Sequence, residues 1–174
     1  GKQAPVNVIE SRTRALIVAG GPSWDYQFVT HLFERDDTFD VSCWLQSADI
    51  SAVRDGDIVI DHLPTTAEEL FGYDVLLLMD PDPDELTEEF GRLVDKFVTE
   101  YGGGLLVVTG RPHAASFMRD PRIKNLRDLL PVTQDPEAEL VVNRIGYYQL
   151  AGAAVEIPDA SIGHPILQLA GDPV

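Results

Sequence analysis

A single cysteine, Cys43, stands among 174 residues. That excludes an internal disulfide and any multi-cysteine metal site, and it leaves the redox compartment open. Basic residues are scarce: 13 Lys and Arg against 29 Asp and Glu give a formal net charge of −16. This balance argues against nucleic acid, whose affinity rests on Lys and Arg meeting phosphates, and against an anionic membrane surface. Cationic small molecules, metals or a basic partner stay open, and an acidic surface also serves plain solubility. No apolar run approaches the ~20 residues that a bilayer-spanning helix needs. Internal repeats and low-complexity tracts are lacking too, and the hydrophobic share, 44%, is ordinary for a globular domain.

What is present centres on Tyr73 to Asp84. Val75-Leu76-Leu77-Leu78-Met79 runs without a polar break, as a strand does when both faces are covered in a parallel sheet. The run stops in Asp80-Pro81-Asp82-Pro83-Asp84. Neither residue type belongs in a central strand, and each Pro drives the residue before it out of the helical region. Binding sites of open α/β sheets form just past the carboxyl ends of the strands, so this acidic turn is the expected floor of any site.

Around it, strands and helices alternate. Ala15–Ala19 and Phe39–Leu45 read as strands, the second with Val41, Cys43 and Leu45 on one side and Ser42 and Trp44 on the other. Between them Gly20-Gly21-Pro22-Ser23 opens a helix, with Ser23 as N-cap and Asp25 in the first turn. Phe28, Val29, Leu32 and Phe33 are expected on its buried face. Asp57–Ile60 reads as a possible short strand, and Thr66 caps a short helix over 67–71. The strongest helical spacing is Phe90, Leu93, Val94, Phe97, Val98 and Tyr101, capped by Thr87 or Asp84 and ended by Gly102-Gly103-Gly104. Leu105–Thr109 reads as a fourth core strand. Short helices follow around 114–118 and 123–130, then weaker strand patterns at 140–142 and 154–157. This alternation predicts an α/β, three-layer, flavodoxin-like sandwich with a mainly parallel sheet in the order 2-1-3-4, plus later strands. Residues 1–13 read as a tail or an edge strand from a preceding domain, and residues 14–174 as one domain excised from a longer protein.

The stretch Ala15-Leu16-Ile17-Val18-Ala19-Gly20-Gly21-Pro22-Ser23-Trp24-Asp25-Tyr26-Gln27-Phe28 resembles the first strand and helix of the class I glutamine amidotransferase-like domains found in large bacterial membrane proteins. Phe33-Glu34-Arg35-Asp36 and the Tyr73–Asp84 stretch with its Gly-rich approach to the next strand are similar as well. The resemblance spans roughly residues 5–131 and, more weakly, His164-Pro165. Such domains often accompany von Willebrand factor A domains between transmembrane helices. The resemblance implies a flavodoxin-like fold and an extracytoplasmic setting on a bacterial membrane, tethered by segments outside this chain. It also implies partners among the other domains of the parent membrane protein or a separate protein.

Glutaminase chemistry needs a thiolate on a sharp turn after a strand, a His base nearby and a carboxylate to orient it. The corresponding turn here, Thr109-Gly110-Arg111-Pro112-His113, holds neither Cys nor Ser. Cys43 falls mid-strand and reads as core. The late His164-Pro165-Ile166 lacks the carboxylate of a His-Pro-Glu, so His164 reads as structural. No catalytic residue, metal ligand or cofactor is assigned on this basis. The expected function is a catalytically silent interaction or ligand-sensing module. The alternative is a metal-assisted hydrolase at the Asp80/His113 edge of the sheet.

The candidate ligand crevice comprises Gly20, Gly21, Trp24, Asp80, Asp82, Arg111 and His113. Asp80, Asp82 and Asp84 could offer oxygens to Ca²⁺ or Mg²⁺, but they lack the Gly and distal Glu of a calcium loop, and a solvated capping turn is the favoured reading. Gly20-Gly21 could receive an anion at a helix N-terminus, yet Asp25 opposes that, and a tight turn is favoured. Arg111 and His113 either bind a carboxylate or, as favoured, pair with the Asp cluster. Trp24 and Tyr26 either form an exposed docking patch or, as favoured, pack on the sheet edge. His31 and His62 read as surface residues without spaced partners.

Overall fold

A computed structural model describes residues 12–49 and 55–132. The patterns at 140–142, 154–157 and His164, and most of the 1–13 tail, lie outside the described residues.

Four strands, β1 (Thr13–Ala19), β2 (Phe39–Leu45), β3 (Val75–Met79) and β4 (Gly104–Val108), form an all-parallel sheet in the order β2-β1-β3-β4. This is the expected flavodoxin-like order. Ile17 of β1 lies opposite Cys43 on one side and Leu77 on the other, and Leu77 opposite Leu106. Side chains alternate across such a sheet, so each strand feeds two cores. Leu16, Val18, Leu76 and Leu78 meet Phe90, Leu93, Val94 and Phe97 of α3 (Glu88–Thr99) on one face. Phe117 of α4 (Ala114–Arg119) and Leu126 of α5 (Lys124–Asp128) complete that layer, as does Leu70 of α2 (Ala67–Leu70). On the other face Ala15, Ile17, Val41, Cys43, Leu77 and Met79 pack under α1 (Trp24–Glu34).

Local chemistry sets the helix ends. Ser23 Oγ accepts from the Tyr26 amide and Thr87 Oγ1 from the Phe90 amide, so α1 and α3 begin at side-chain caps. Thr66 and Glu69 form a reciprocal capping box on α2. Chain reversal after α3 places Gly102 at φ +81°, and the Gly103 amide donates to Phe97 O. A Cβ on Gly103 would stand 2.1 Å from the Phe97 ring, so only glycine fits there.

Three expectations are corrected. The buried residues of α1 are Tyr26 and Thr30, with Val29 and Phe33 half-buried, whereas Phe28 is 70% and Leu32 54% exposed. Polar partners beneath the helix explain this: the Tyr26 hydroxyl donates to Asp55 Oδ2, and Thr30 Oγ1 lies 3.7 Å from Cys43 Sγ. Secondly, β4 is only partly covered, with Leu106 and Val108 exposed on the α1 side. Thirdly, residues 57–60 form no strand. An isolated antiparallel bridge joins Gly56 to Ser42, the Ile58 amide donates to Val41 O, and Asp57 Oδ2 accepts from the Val41 amide. Together these contacts seal the outer edge of β2 at Val41.

Candidate functional site

The carboxyl ends of β1, β3 and β4 release three turns that touch one another. Asp80, the first residue past β3, has φ +42°, a left-handed conformation that a non-glycine residue adopts at a cost and that Asp tolerates better than most. Its amide donates to Val108 O at 2.6 Å. Its Oδ1 accepts from the amides of Gly110, at 2.8 Å, and His113, at 3.3 Å. The side chain therefore clamps the turn that follows β4.

Two glycines make that closeness possible. A Cβ on Gly20 would lie 2.2 Å from Asp80 O, and one on Gly110 would lie 2.7 Å from Asp80 Cγ. The β2 end joins through Gln46. Its amide donates to Ala19 O, its Nε2 donates to Asp82 O at 3.1 Å, and its Oε1 accepts from the Asp82 amide at 2.8 Å. This side-chain amide pairs with the Asp82 backbone as a neighbouring strand would.

Above this floor opens a cleft of about 200 Å³, lined by Gly21, Ser23, Asp25, Asp80, Thr109, Gly110 and His113, among others. Of the residues expected there, Gly21, Asp80 and His113 line it. Gly20 lies beneath against Asp80, and Asp82 flanks it, 3.8 Å from His113 Nδ1. Trp24 does not pack on the sheet edge; it is 88% exposed and is not among the residues that line the cleft. Tyr26, its expected companion, is buried, so the two aromatics part company.

Arg111 is exposed, and among the described residues it forms no ion pair with the Asp cluster. Arg122 takes that role. Its Nη2 donates to Asp84 Oδ1 at 2.8 Å and to Pro83 O at 3.3 Å, while its Nε and Nη2 bind Asp120. The three carboxylates of the acidic turn thus serve separate partners. Asp80 holds backbone amides, Asp82 Oδ1 accepts from the Asp84 amide, and Asp84 meets Arg122. Among the described residues no group of three or more His, Cys, Asp or Glu side chains is placed to hold a metal ion.

Cys43 is buried in β2 beneath α1, where burial pushes its thiol up to about 11. A thiol so raised carries little thiolate at neutral pH, and thiolate is the nucleophilic form. His31 and His62 are exposed, as expected, but both have partners: His31 pairs with Glu34, and His62 lies between Asp61 and Glu69. Sequence reasoning missed Gln46 and Arg122. Gln46 follows β2 at the binding edge of the sheet, which marks it only in retrospect, and Arg122 had no signal beyond its charge.

No protein-family model, curated protein or solved structure matches the chain. Among the described residues no helix is long and apolar enough to cross a membrane.

Proposed function

We propose that this chain is an amidotransferase-like domain without glutaminase chemistry, serving as an interaction module of a larger membrane-tethered protein. One observation carries the reading. The turn after β4, where an amidotransferase needs its nucleophile, is Gly110-Arg111-Pro112-His113, and its Gly110 and His113 amides are held by Asp80. Backbone amides at such a turn stabilise an oxyanion only when they are free to point at it. The chain's one thiol is buried in another strand, where burial raises it to about 11 and leaves little thiolate at neutral pH. The setting we propose is the extracytoplasmic side of a bacterial membrane, with tethering segments beyond this chain. The partners would be other domains of the parent protein or a separate protein.

Glutamine hydrolysis is the direct test. The purified chain should release no ammonia from glutamine, and Cys43→Ser should leave that unchanged. Hydrolysis that disappears in Cys43→Ser would overturn the reading. The runner-up, a metal-assisted hydrolase, draws support from His113 lying 3.8 Å from Asp82 at the cleft. It is disfavoured because Asp80 and Asp84, the other oxygen donors it would recruit, are engaged elsewhere.

A further inference from the structure

Helix α1 carries an apolar ridge that stands exposed, uncovered among the described residues. Trp24, Phe28 and Leu32 are 88%, 70% and 54% exposed. They are spaced by four residues, which sets them in one row along the helix. The row runs about 12 Å along the axis. It points away from the sheet, since the inward face is taken by Tyr26 and Thr30. Soluble domains scatter single apolar side chains over their surfaces, but a contiguous row of large ones marks an interaction site. A tryptophan at one end is the residue type most often found as an energetic anchor.

Charge narrows what can sit there. Asp25, Asp36 and Asp37 stand on the helix and the loop at its end, against Arg35 and a histidine already paired with Glu34. Hydrogen bonds to Asp36 come from the neutral Thr38, so its charge is not cancelled locally. The whole chain carries −16. A second copy would bring the same excess to the contact, and an anionic bilayer would be repelled as well. A straight ridge of i, i+4 side chains is complementary to the groove between side-chain rows of another helix. We propose that α1 docks a basic amphipathic helix of a partner polypeptide, its apolar stripe on Trp24, Phe28 and Leu32 and its Lys or Arg flanks toward Asp25, Asp36 and Asp37. This names the surface of the interaction role proposed above and rests on that role.

The test uses the full chain and two fluorescein-labelled peptides. Both carry a leucine stripe; one has lysine flanks and the other glutamate flanks. Fluorescence anisotropy should show binding of the lysine peptide alone, weakening by roughly tenfold or more between ~50 mM and ~500 mM NaCl as screening shortens the reach of the charges. Phe28→Asp and Leu32→Asp should each weaken binding at least about tenfold while leaving the circular dichroism spectrum unchanged, because anchors dominate such contacts. Equal binding of both peptides, binding of neither, or undiminished binding by Phe28→Asp would overturn the proposal. So would self-association in sedimentation that Phe28→Asp abolishes, which would give the ridge to a second copy, or stronger binding to phosphatidylserine vesicles than to the peptide. Failure here with glutamine hydrolysis still absent would remove the α1 surface and spare the module reading. Cys43-dependent hydrolysis would remove the module reading whatever the peptides do.

Discussion

Replacing Asp80 tests whether the β4 turn is held as described. Asp80→Ala deletes the acceptor of two amide bonds, at 2.8 and 3.3 Å. Bonds to a charged acceptor contribute about 1.5–3 kcal/mol each when buried, but Asp80 is half-buried and the second bond is long, so about 2 kcal/mol for the pair is reasonable. Alanine at φ +42° keeps the Cβ crowding that Asp80 already bears, so it adds little beyond the lost bonds. Asp80→Ala should therefore cost about 2 kcal/mol. Asp80→Gly loses the same bonds but relieves roughly 1 kcal/mol of that crowding, giving about 1 kcal/mol. Asp80→Asn keeps an oxygen acceptor and tolerates the conformation, and should cost about 1 kcal/mol or less. Urea unfolding with unchanged m-values measures all three. Hydrogen exchange should accelerate at the Gly110 and His113 amides in the Ala and Gly variants, and much less in Asn. The reasoning fails if Asp80→Ala is as stable as the native chain, or if Asn is as damaging as Ala.

Four further outcomes are expected. Gly20→Ala drives a Cβ to 2.2 Å from Asp80 O and should cost about 1–3 kcal/mol, as overpacking does, in urea titration; a neutral result would refute the close approach. Glu69, whose carboxyl is lowered from 4.5 to about 2 chiefly by the Thr65 amide, contributes stability that is present above its unfolded value and lost as pH falls through about 2. Stability at pH 5.5 minus that at pH 2.5 should therefore shrink in Glu69→Gln, and an unchanged difference would sink the assignment. Cys43 should react with a disulfide reagent slowly in the folded chain and rapidly in urea; fast native labelling would contradict its burial and raised thiol. Millimolar Ca²⁺ or Mg²⁺ should leave the melting temperature nearly unchanged, whereas a site filled at a thousandfold excess over Kd would add about 4 kcal/mol.

Much of the fold was legible because apolar continuity and helix caps are local signals. Leu76, Leu77 and Leu78 announced a strand covered on both faces, and Thr87 with Phe90, Leu93, Val94 and Phe97 announced α3. Apolar count failed where polar groups were buried. Tyr26 and Thr30 face inward because Asp55 and the Cys43 sulfur receive them, and no periodicity of hydrophobicity records that. β4 misled in the opposite way: Leu106 and Val108 read as fully covered, although the strand stands last in the four-strand order. At the site, the sequence located the acidic turn but not its occupation. Which amides Asp80 accepts from depends on a left-handed backbone at a single residue, and Arg122 reaches Asp84 from 38 residues away. Such long-range pairings come from the packed fold and leave no mark in spacing.

The sealed flank of β2 has a consequence for how the chain behaves in a crowded solution. Val41-Ser42-Cys43-Trp44-Leu45 is the kind of uncharged, β-favouring segment that seeds cross-β fibrils when its edge is free. Residues 56–58 occupy that edge with a side chain and a backbone amide, and Gly56, at φ +101°, permits the approach because a Cβ would fall 2.7 Å from Val41 O. Asp57 thus works as a gatekeeper in its own fold: it takes the Val41 amide that an incoming strand would need, and it puts a charge where that strand would lie. The loop that ends the pairing ladder thus takes both edge groups of Val41, its amide and its carbonyl, away from an incoming strand.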